Sequence, residues 1–278
     1  MNFVKSPLRY PGGKSRAVKF LAEFCGKFKE YREPFFGGGS LGIFLAQKNS
    51  EARFLANDLN YELFCFWKCL KTHAAELVAE VERVRREFKD GRKLYENILI
   101  RRNLNLSEFE RAVDFFVLNR ITFSGVVDSG GYSQKAFEGR FTASSVERLK
   151  DAAKVASKFE FSHGGYEALL FKGGKDVLLF LDPPYISATK SRLYGKNGEL
   201  HMSFDHVKLR DDLLGVKHKF IMTYDDCEAV RELYKEFYIK EFALQYGMNS
   251  FTKKASLGHE VLVSNFAFSS ESLFEMCG

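Results

Sequence analysis

Val177-Leu178-Leu179-Phe180-Leu181 is an unbroken apolar run that begins after Asp176 and stops at Asp182-Pro183-Pro184-Tyr185. Apolar residues in succession, without polar alternation, predict a strand buried on both faces, as at the centre of a parallel sheet. The two prolines have fixed φ and no N–H, and a residue before proline is held out of the helical region. The strand exit is therefore stiff and extended, with its carbonyls left free. Elsewhere the apolar spacing switches between helical and strand periods. It predicts a helix over 17–28, a short strand over 33–36, a helix over 41–47, a strand over 52–58 and a long charged helical stretch over 62–89. Ser107 with Glu110 forms the capping box of a helix over 108–118, and Ser144 with Glu147 caps another over 146–156. Strands follow at 158–162 and 219–224, then a helix capped by Asp225 with Glu228. Two late strands, over 238–246 and 260–265, have the content of a closing hairpin.

Strands that alternate with helices imply an α/β fold whose ligands bind at the carboxyl ends of the strands, which places Asp182 and Tyr185 at the active edge. The strand ending at Asp182 lies roughly 140 residues beyond the glycines at 37–39, whereas one crossover needs only ~30. Something is inserted between them. The expected organisation is a catalytic domain built from 1–60 and 142–278, interrupted by a mainly helical insertion over 61–141.

With 278 residues and 45% hydrophobic content the chain can bury a full core. The net charge of +6 is compatible with a nucleic-acid partner but too mild to identify one. Its distribution is more telling: residues 1–33 hold eight Lys/Arg against three Asp/Glu, and residues 221–278 hold five against nine, so phosphate would favour the first part of the chain. Five cysteines, at 25, 65, 69, 227 and 277, show neither disulfide nor zinc spacing, which points to reduced thiols in a cytoplasm. Lys5, Arg9, Lys14 and Arg16 interrupt the start, so no secretory leader is expected, and no apolar run is long enough for a membrane span.

Asp-Pro-Pro-Tyr at a strand end suits a particular chemical problem. The exocyclic amine of a nucleobase is a poor nucleophile because its lone pair is delocalised into the ring, and two acceptors pulling on its hydrogens restore it. The Asp182 carboxylate and the Pro183 carbonyl would supply them, while Tyr185 offers a face on which the base stacks. Upstream, Glu33-Pro34-Phe35-Phe36 runs into Gly37-Gly38-Gly39-Ser40 and a helix, a cradle in which main-chain N–H groups point at an anion or nucleotide. No glycine stands where the third of the dinucleotide fingerprint should, which argues against a dehydrogenase. Asp58 ends the next apolar run roughly 20 residues on, where a ribose-binding carboxylate is expected.

Asp182-Pro-Pro-Tyr185, together with Tyr10-Pro11-Gly12-Gly13-Lys14 and 33–40, resembles the Dam-like, α-arranged family of DNA adenine methyltransferases. The resemblance implies a Rossmann-like methyltransferase sheet, mostly parallel with a C-terminal antiparallel hairpin, and S-adenosyl-L-methionine as cofactor. It also implies transfer of a methyl group to N6 of an adenine flipped out of double-stranded DNA. Asp182, Pro183, Pro184 and Tyr185 would be catalytic. Tyr10, Pro11, Gly12, Gly13, Lys14, Phe35, Phe36, Gly37, Gly39, Ser40, Asp58, Tyr166 and Asp182 would hold the cofactor, with Tyr10 and Tyr166 stacking and Lys14 pairing with the methionyl carboxylate. No metal is required, because the donor's sulfonium charge is lost on transfer.

In this family the inserted segment reads DNA. Asn119-Arg120-Ile-Thr-Phe123-Ser124-Gly125 resembles the loop that enters the duplex, although Ser124 replaces the usual Asn. Tyr132, Lys135 and Arg140 are expected near DNA with Asn119, Arg120, Phe123 and Ser124. Asp128 stands where relatives that read GATC carry a guanine-contacting Arg, and a carboxylate cannot donate to guanine O6 and N7. A polar loop after Tyr185, with Lys190, Arg192, Tyr194 and Lys196, has the length of a lid. The chain is expected to be a monomer, with any cognate restriction endonuclease acting separately. A methyltransferase for an RNA base or a protein glutamine would also want an acid or amide before Pro-Pro-Tyr, but the Phe123 loop would then have no purpose. A silent DNA-binding module would show damage at Tyr10, Lys14, Asp58 or Asp182, and none is present.

Overall fold

The computed structural model describes residues 3–10, 12–186, 204–248 and 255–268, without the side chains of 244–248 and 255–257. The loop expected to act as a lid, with Lys190, Arg192, Tyr194 and Lys196, lies outside the described residues, as does Pro11.

Seven strands form one mixed sheet: β1 (Glu30–Glu33), β2 (Arg53–Asp58), β3 (Phe159–His163), β4 (Val177–Leu181), β5 (Lys219–Asp225), β6 (Tyr238–Met248) and β7 (Ala255–Ser264). Their order is β3-β2-β1-β4-β5-β7-β6, with the first five parallel and β7 antiparallel to both β5 and β6. The expected α/β sheet with a C-terminal hairpin is what the chain forms. Every residue of β4 is buried, as its unbroken apolar run predicted, and it lies between β1 and β5. The strand order reverses between β1 and β4, so crossovers leave to opposite sides and a crevice opens at the carboxyl ends of these two strands. Asp182 follows directly on one side of it.

Among the described residues the helices are α1 (Val18–Glu23), α2 (Ser40–Lys48), α3 (Tyr61–Thr72), α4 (Ala74–Glu87), α5 (Gly91–Arg101), α6 (Glu108–Ile121), α7 (Gln134–Arg140), α8 (Ala143–Ala156), α9 (Glu167–Leu170), α10 (His206–Leu214) and α11 (Glu228–Leu233). The Ser107/Glu110 capping box of α6 is formed in both directions. Several expectations are corrected. The stretch 62–89 is two helices, broken at His73 (φ −136°); α3 packs against β3, α6 and α8, and α4 against α8 and α6. The helix expected over 17–28 stops at Glu23, short of Gly26 in its left-handed conformation (φ +56°). The strand expected at 33–36 is β1, which ends at Glu33 because Pro34 has no N–H to give a ladder. α8 starts after Thr142, whose backbone N–H donates to Ser145 Oγ (3.2 Å), and not at Ser144 with Glu147. Asp225 closes β5, and the N-cap of α11 is Cys227.

α5 was not foreseen. It is started by the Asp90 side chain, which accepts from the Lys93 N–H at 3.0 Å. The Gly-rich stretch 123–141 likewise contains a 3₁₀ turn, Phe123–Gly125, and α7. One hydrophobic core runs without a break from β1, β2 and β3 through α3, α4, α5, α6 and α8, so segment 61–141 shares the core of the sheet. No helix among the described residues is long and apolar enough to cross a membrane.

Arg32 ties β1 to the turn that leads into β4. It is 0% exposed, and its guanidinium donates to Glu30 and to the carbonyls of Leu169, Lys172 and Gly173. Removing that charge leaves buried acceptors unpaired. Arg32→Met is expected to lower the unfolding free energy by ~3–5 kcal/mol, read by urea denaturation; a loss below ~1 kcal/mol would contradict the bracing role.

Candidate active site

Asp182 is the hub of the carboxyl edge. Its Oδ1 accepts from Thr223 Oγ1 (2.7 Å), from Lys14 Nζ (2.9 Å) and from the Tyr185 hydroxyl (3.3 Å), and its Oδ2 accepts from Lys14 Nζ (2.9 Å). Thr223 comes from β5, Lys14 from the loop after Tyr10 and Tyr185 from the strand exit, so three separate segments converge on one carboxylate. Lys14 is 3% exposed and also donates to the Gly12 carbonyl at 3.0 Å. An ammonium buried that deeply requires a counter-ion. The sequence reading paired Lys14 with a cofactor carboxylate; in the structure its anion is Asp182. A second carboxylate, Glu260 of β7, lies 3.9 Å from Lys14.

The Tyr185 ring lies 5.0 Å from Lys14 Nζ and stacks on Tyr224 (centroids 5.5 Å, 22°). Burial, reinforced by the charge of Asp182, pushes its hydroxyl well above the usual tyrosine range, so it remains a proton donor.

Across the crevice, the glycine loop joins β1 to α2. Gly37 adopts φ +50°, and a Cβ there would fall 2.8 Å from the Tyr10 ring. The glycine is thus required both by its backbone and by the ring laid against it. Asp58 pins this loop from the end of β2: its Oδ2 accepts from the Gly37 N–H (2.8 Å) and its Oδ1 from the Asn60 N–H (2.9 Å). Burial raises the Asp58 pKa, while these backbone donors act against the rise. Trp67 of α3 donates its indole N–H to the Gly37 carbonyl (3.0 Å), which fastens the loop to the helical layer. Phe35 stacks on Tyr166 (5.4 Å, 29°), with Phe204 beside them, to form an aromatic wall. The Tyr166 hydroxyl donates to Asp212 (2.7 Å).

Between these groups is a cavity of ≈ 350 Å³. Tyr10, Gly12, Gly13, Lys14, Phe35, Phe36, Gly37, Gly39, Ser40, Asp58, Tyr166, Asp182, Pro183, Pro184 and Tyr185 all line it. Residues read from three distant motifs are therefore one site. Thr223, Glu260 and Phe204 were not singled out. Glu260 carried a signal, since it is an acid at the head of an otherwise apolar strand segment.

The residues expected near DNA divide by exposure. Phe123 is 62% exposed on the 3₁₀ turn, beside Ser124 with φ +53°, and Lys135 is exposed on α7. Asn119, Arg120 and Tyr132 point inward instead. Asn119 donates to the carbonyls of Arg9 (2.7 Å) and Gly125 (2.8 Å), which ties the end of α6 to the Tyr10 loop. Tyr132 packs against Tyr95, with Arg92 over its ring. Asp128 pairs with Arg102 at 3.0 Å.

Arg120 has a buried Nε without a hydrogen-bond partner, and its pKa is pushed down to about 9 by burial and then by the charges of Arg148, Arg9 and Arg140. Among the described residues, no ion pair joins any of these four guanidiniums to a carboxylate.

Known proteins give this arrangement its context. Over 289 residues the chain is 24% identical to the type II methyltransferase M.MjaIII of Methanocaldococcus jannaschii, covering 95% of this chain and 99% of that protein. It is 24% identical over 277 residues to the type II methyltransferase M1.LlaDCHI of Lactococcus lactis, with 93% and 94% covered. With the DNA adenine methylase of Vibrio cholerae it shares 25% identity over 181 residues, 64% of each chain. Residues 10–248, which include the Tyr10 loop, the glycine loop, Asp58 and Asp182-Pro-Pro-Tyr185, match the model of one family, and this chain belongs to it: the D12 class of N6 adenine-specific DNA methyltransferases.

Proposed function

We propose that Asp182 and the Pro183 carbonyl grip the 6-amino group of an adenine flipped out of double-stranded DNA, with Tyr185 against the base. The observation that carries this reading is that Asp182 shares one cavity with Tyr10, Gly37 and Asp58. Acceptor and donor sites must adjoin for a direct transfer, because holding the reacting atoms in line supplies most of the rate.

Membership of the family makes the protein an N6-adenine DNA methyltransferase that uses S-adenosyl-L-methionine. The cavity's donor set suits that cofactor: a carboxylate for hydroxyls, glycine N–H groups for polar ends and flat rings for a purine. We assign the ribose hydroxyls to Asp58, the purine to the wall of Phe35 and Tyr166, and the amino-acid end to the Tyr10 and glycine loops. The cofactor supplies an electrophilic methyl group on a sulfonium. Asp182 and the Pro183 oxygen withdraw the amine hydrogens from the ring plane, so the nitrogen lone pair becomes available. As positive charge grows on nitrogen, the fixed Asp182 carboxylate stabilises it. Lys14 and Thr223 hold that carboxylate in orientation.

For DNA we assign phosphate contacts to Arg9, Arg140 and Arg148, with the buried Arg120 behind them, Phe123 as the exposed ring entering the duplex and Lys135 alongside. Segment 61–141 would thus be the recognition part of the chain. The likeness to type II methyltransferases supports a role in the cytoplasm opposite a separate restriction endonuclease, and we propose a monomer. Asp128, already paired with Arg102, supports a recognition sequence other than GATC.

Asp182→Ala should lower kcat by about 10²–10³-fold or more with S-adenosylmethionine affinity kept within a few-fold, as measured by tritium transfer and calorimetry; near-normal turnover would refute the assignment. Asp58→Ala should weaken cofactor binding about 10–100-fold, since it removes charge-assisted hydrogen bonds, and unchanged affinity would argue against the ribose role. Arg140→Ala should flatten the slope of log K against log salt by about 0.9 in a titration with duplex DNA, whereas an unaltered slope would mean that it meets no phosphate.

A further inference from the structure

Glu260 is 1% exposed, and neither of its carboxylate oxygens has a hydrogen-bond partner of good geometry, although the Tyr185 hydroxyl lies near enough to help hold its charged form. A buried carboxylate left in that state is costly unless something occupies it during function. Its Oε2 lies 3.9 Å from Lys14 Nζ, the ammonium already bound to both oxygens of Asp182.

Resting on the reading of Asp182 as the acceptor for the target amine, we propose that Glu260 is a positioning residue. It serves as the second anion of Lys14, drawing the ammonium off Asp182 so that the amino group can take its place. A carboxylate offers about four lone-pair sites. On Asp182 those sites meet Lys14 twice, Thr223 and Tyr185. Three of those contacts fall on Oδ1, which is full, and Lys14 holds Oδ2, so the target amine and the ammonium compete for that one oxygen. Lys14 is the donor with somewhere to go. It carries three N–H groups, it keeps the Gly12 carbonyl at 3.0 Å, and a shift of about 1 Å brings it within hydrogen-bond range of Glu260.

The exchange depends on Glu260 being ionised. Facing its carboxyl are Lys14 from the Tyr10 loop, Asp182 and Tyr185 from the exit of β4 and Asp225 paired across on β5, while β6 offers Phe242, which carries no charge. Burial pushes the Glu260 carboxyl up to about 7; the Lys14 charge and the Tyr185 hydroxyl oppose the rise, and the charges of Asp182 and Asp225 add to it. Below that pH the neutral acid has little hold on Lys14, and above it the anion competes with Asp182 for the ammonium.

The test compares wild type with Glu260→Gln and Glu260→Asp in methyl transfer to duplex DNA between pH 6 and 9, with cofactor and DNA affinities measured in parallel. Wild-type kcat should climb through an ionisation near 7. The Gln variant should lose that limb and run about 10–100-fold below wild type at pH 8.5, with both affinities within about twofold of wild type. The Asp variant should recover a rising limb. In the free protein, the infrared band of a protonated carboxyl should fade between pH 6 and 8 for wild type and be missing from Glu260→Gln. A Gln variant with wild-type kcat and an intact limb would overturn the proposal. So would one slowed equally at every pH with the limb retained, which would mark a structural role. A wild type unable to methylate adenine at any pH would defeat the reading of Asp182 itself, a failure distinct from either.

Discussion

An ion pair between the buried ammonium of Lys14 and the partly exposed carboxylate of Asp182 holds this site together. It joins the loop that follows Tyr10 to the exit of the central strand, two segments 168 residues apart in sequence. The ammonium could not be buried so far alone, because an unpaired ion in a low-dielectric interior costs several kcal/mol. The two prolines after Asp182 make the exit rigid, Thr223 fixes one carboxylate oxygen from the neighbouring strand, and Tyr185 closes over the ammonium. The carboxylate is thus oriented before any substrate arrives. Preorganisation of this kind is how a fixed charge stabilises one that appears only during the reaction.

The opposite wall of the crevice is organised by Asp58 in the same manner. By accepting from Gly37 and Asn60 it locks the glycine loop, and Trp67 fastens that loop to α3. α3 in turn packs on α6, whose end is tied through Asn119 to the Arg9 backbone. The segment that would meet DNA and the loop that carries Lys14 are therefore mechanically linked. Arg120, crowded by Arg148, Arg9 and Arg140, sits at this junction. An anion entering the cluster would relieve a repulsion that the fold has accumulated beside the active edge.

Much of the site was legible in the sequence because it is written in short-range chemistry. An unbroken apolar run announced the buried strand, two prolines fixed its exit, and Asp58 followed the glycines at the expected interval. Partnerships between distant segments were not legible. Lys14 read as a residue for a ligand, and its bond to Asp182 was not foreseen, since nothing local reveals which anion an ammonium will meet. Tyr132 and Asn119 were expected near DNA from the family resemblance, whereas Asn119 is buried in α6 and the isolated pairing of Thr122 with Tyr132 folds the following loop back onto the core. Glu260 passed unnoticed because a lone acid in a strand acquires meaning only when the sheet order sets β7 beside β5. The break at His73 also depended on tertiary packing, as propensity alone favours one continuous helix.

The central claim concerns which atoms hold the target amine. The most direct measurement is a crystal structure of the protein with S-adenosyl-L-homocysteine and a methylatable DNA duplex. The account predicts an extruded adenine whose amino nitrogen lies within hydrogen-bond distance, about 3 Å, of both an Asp182 oxygen and the Pro183 carbonyl. An adenine bound elsewhere, with Asp182 still fully engaged by Lys14, would contradict it.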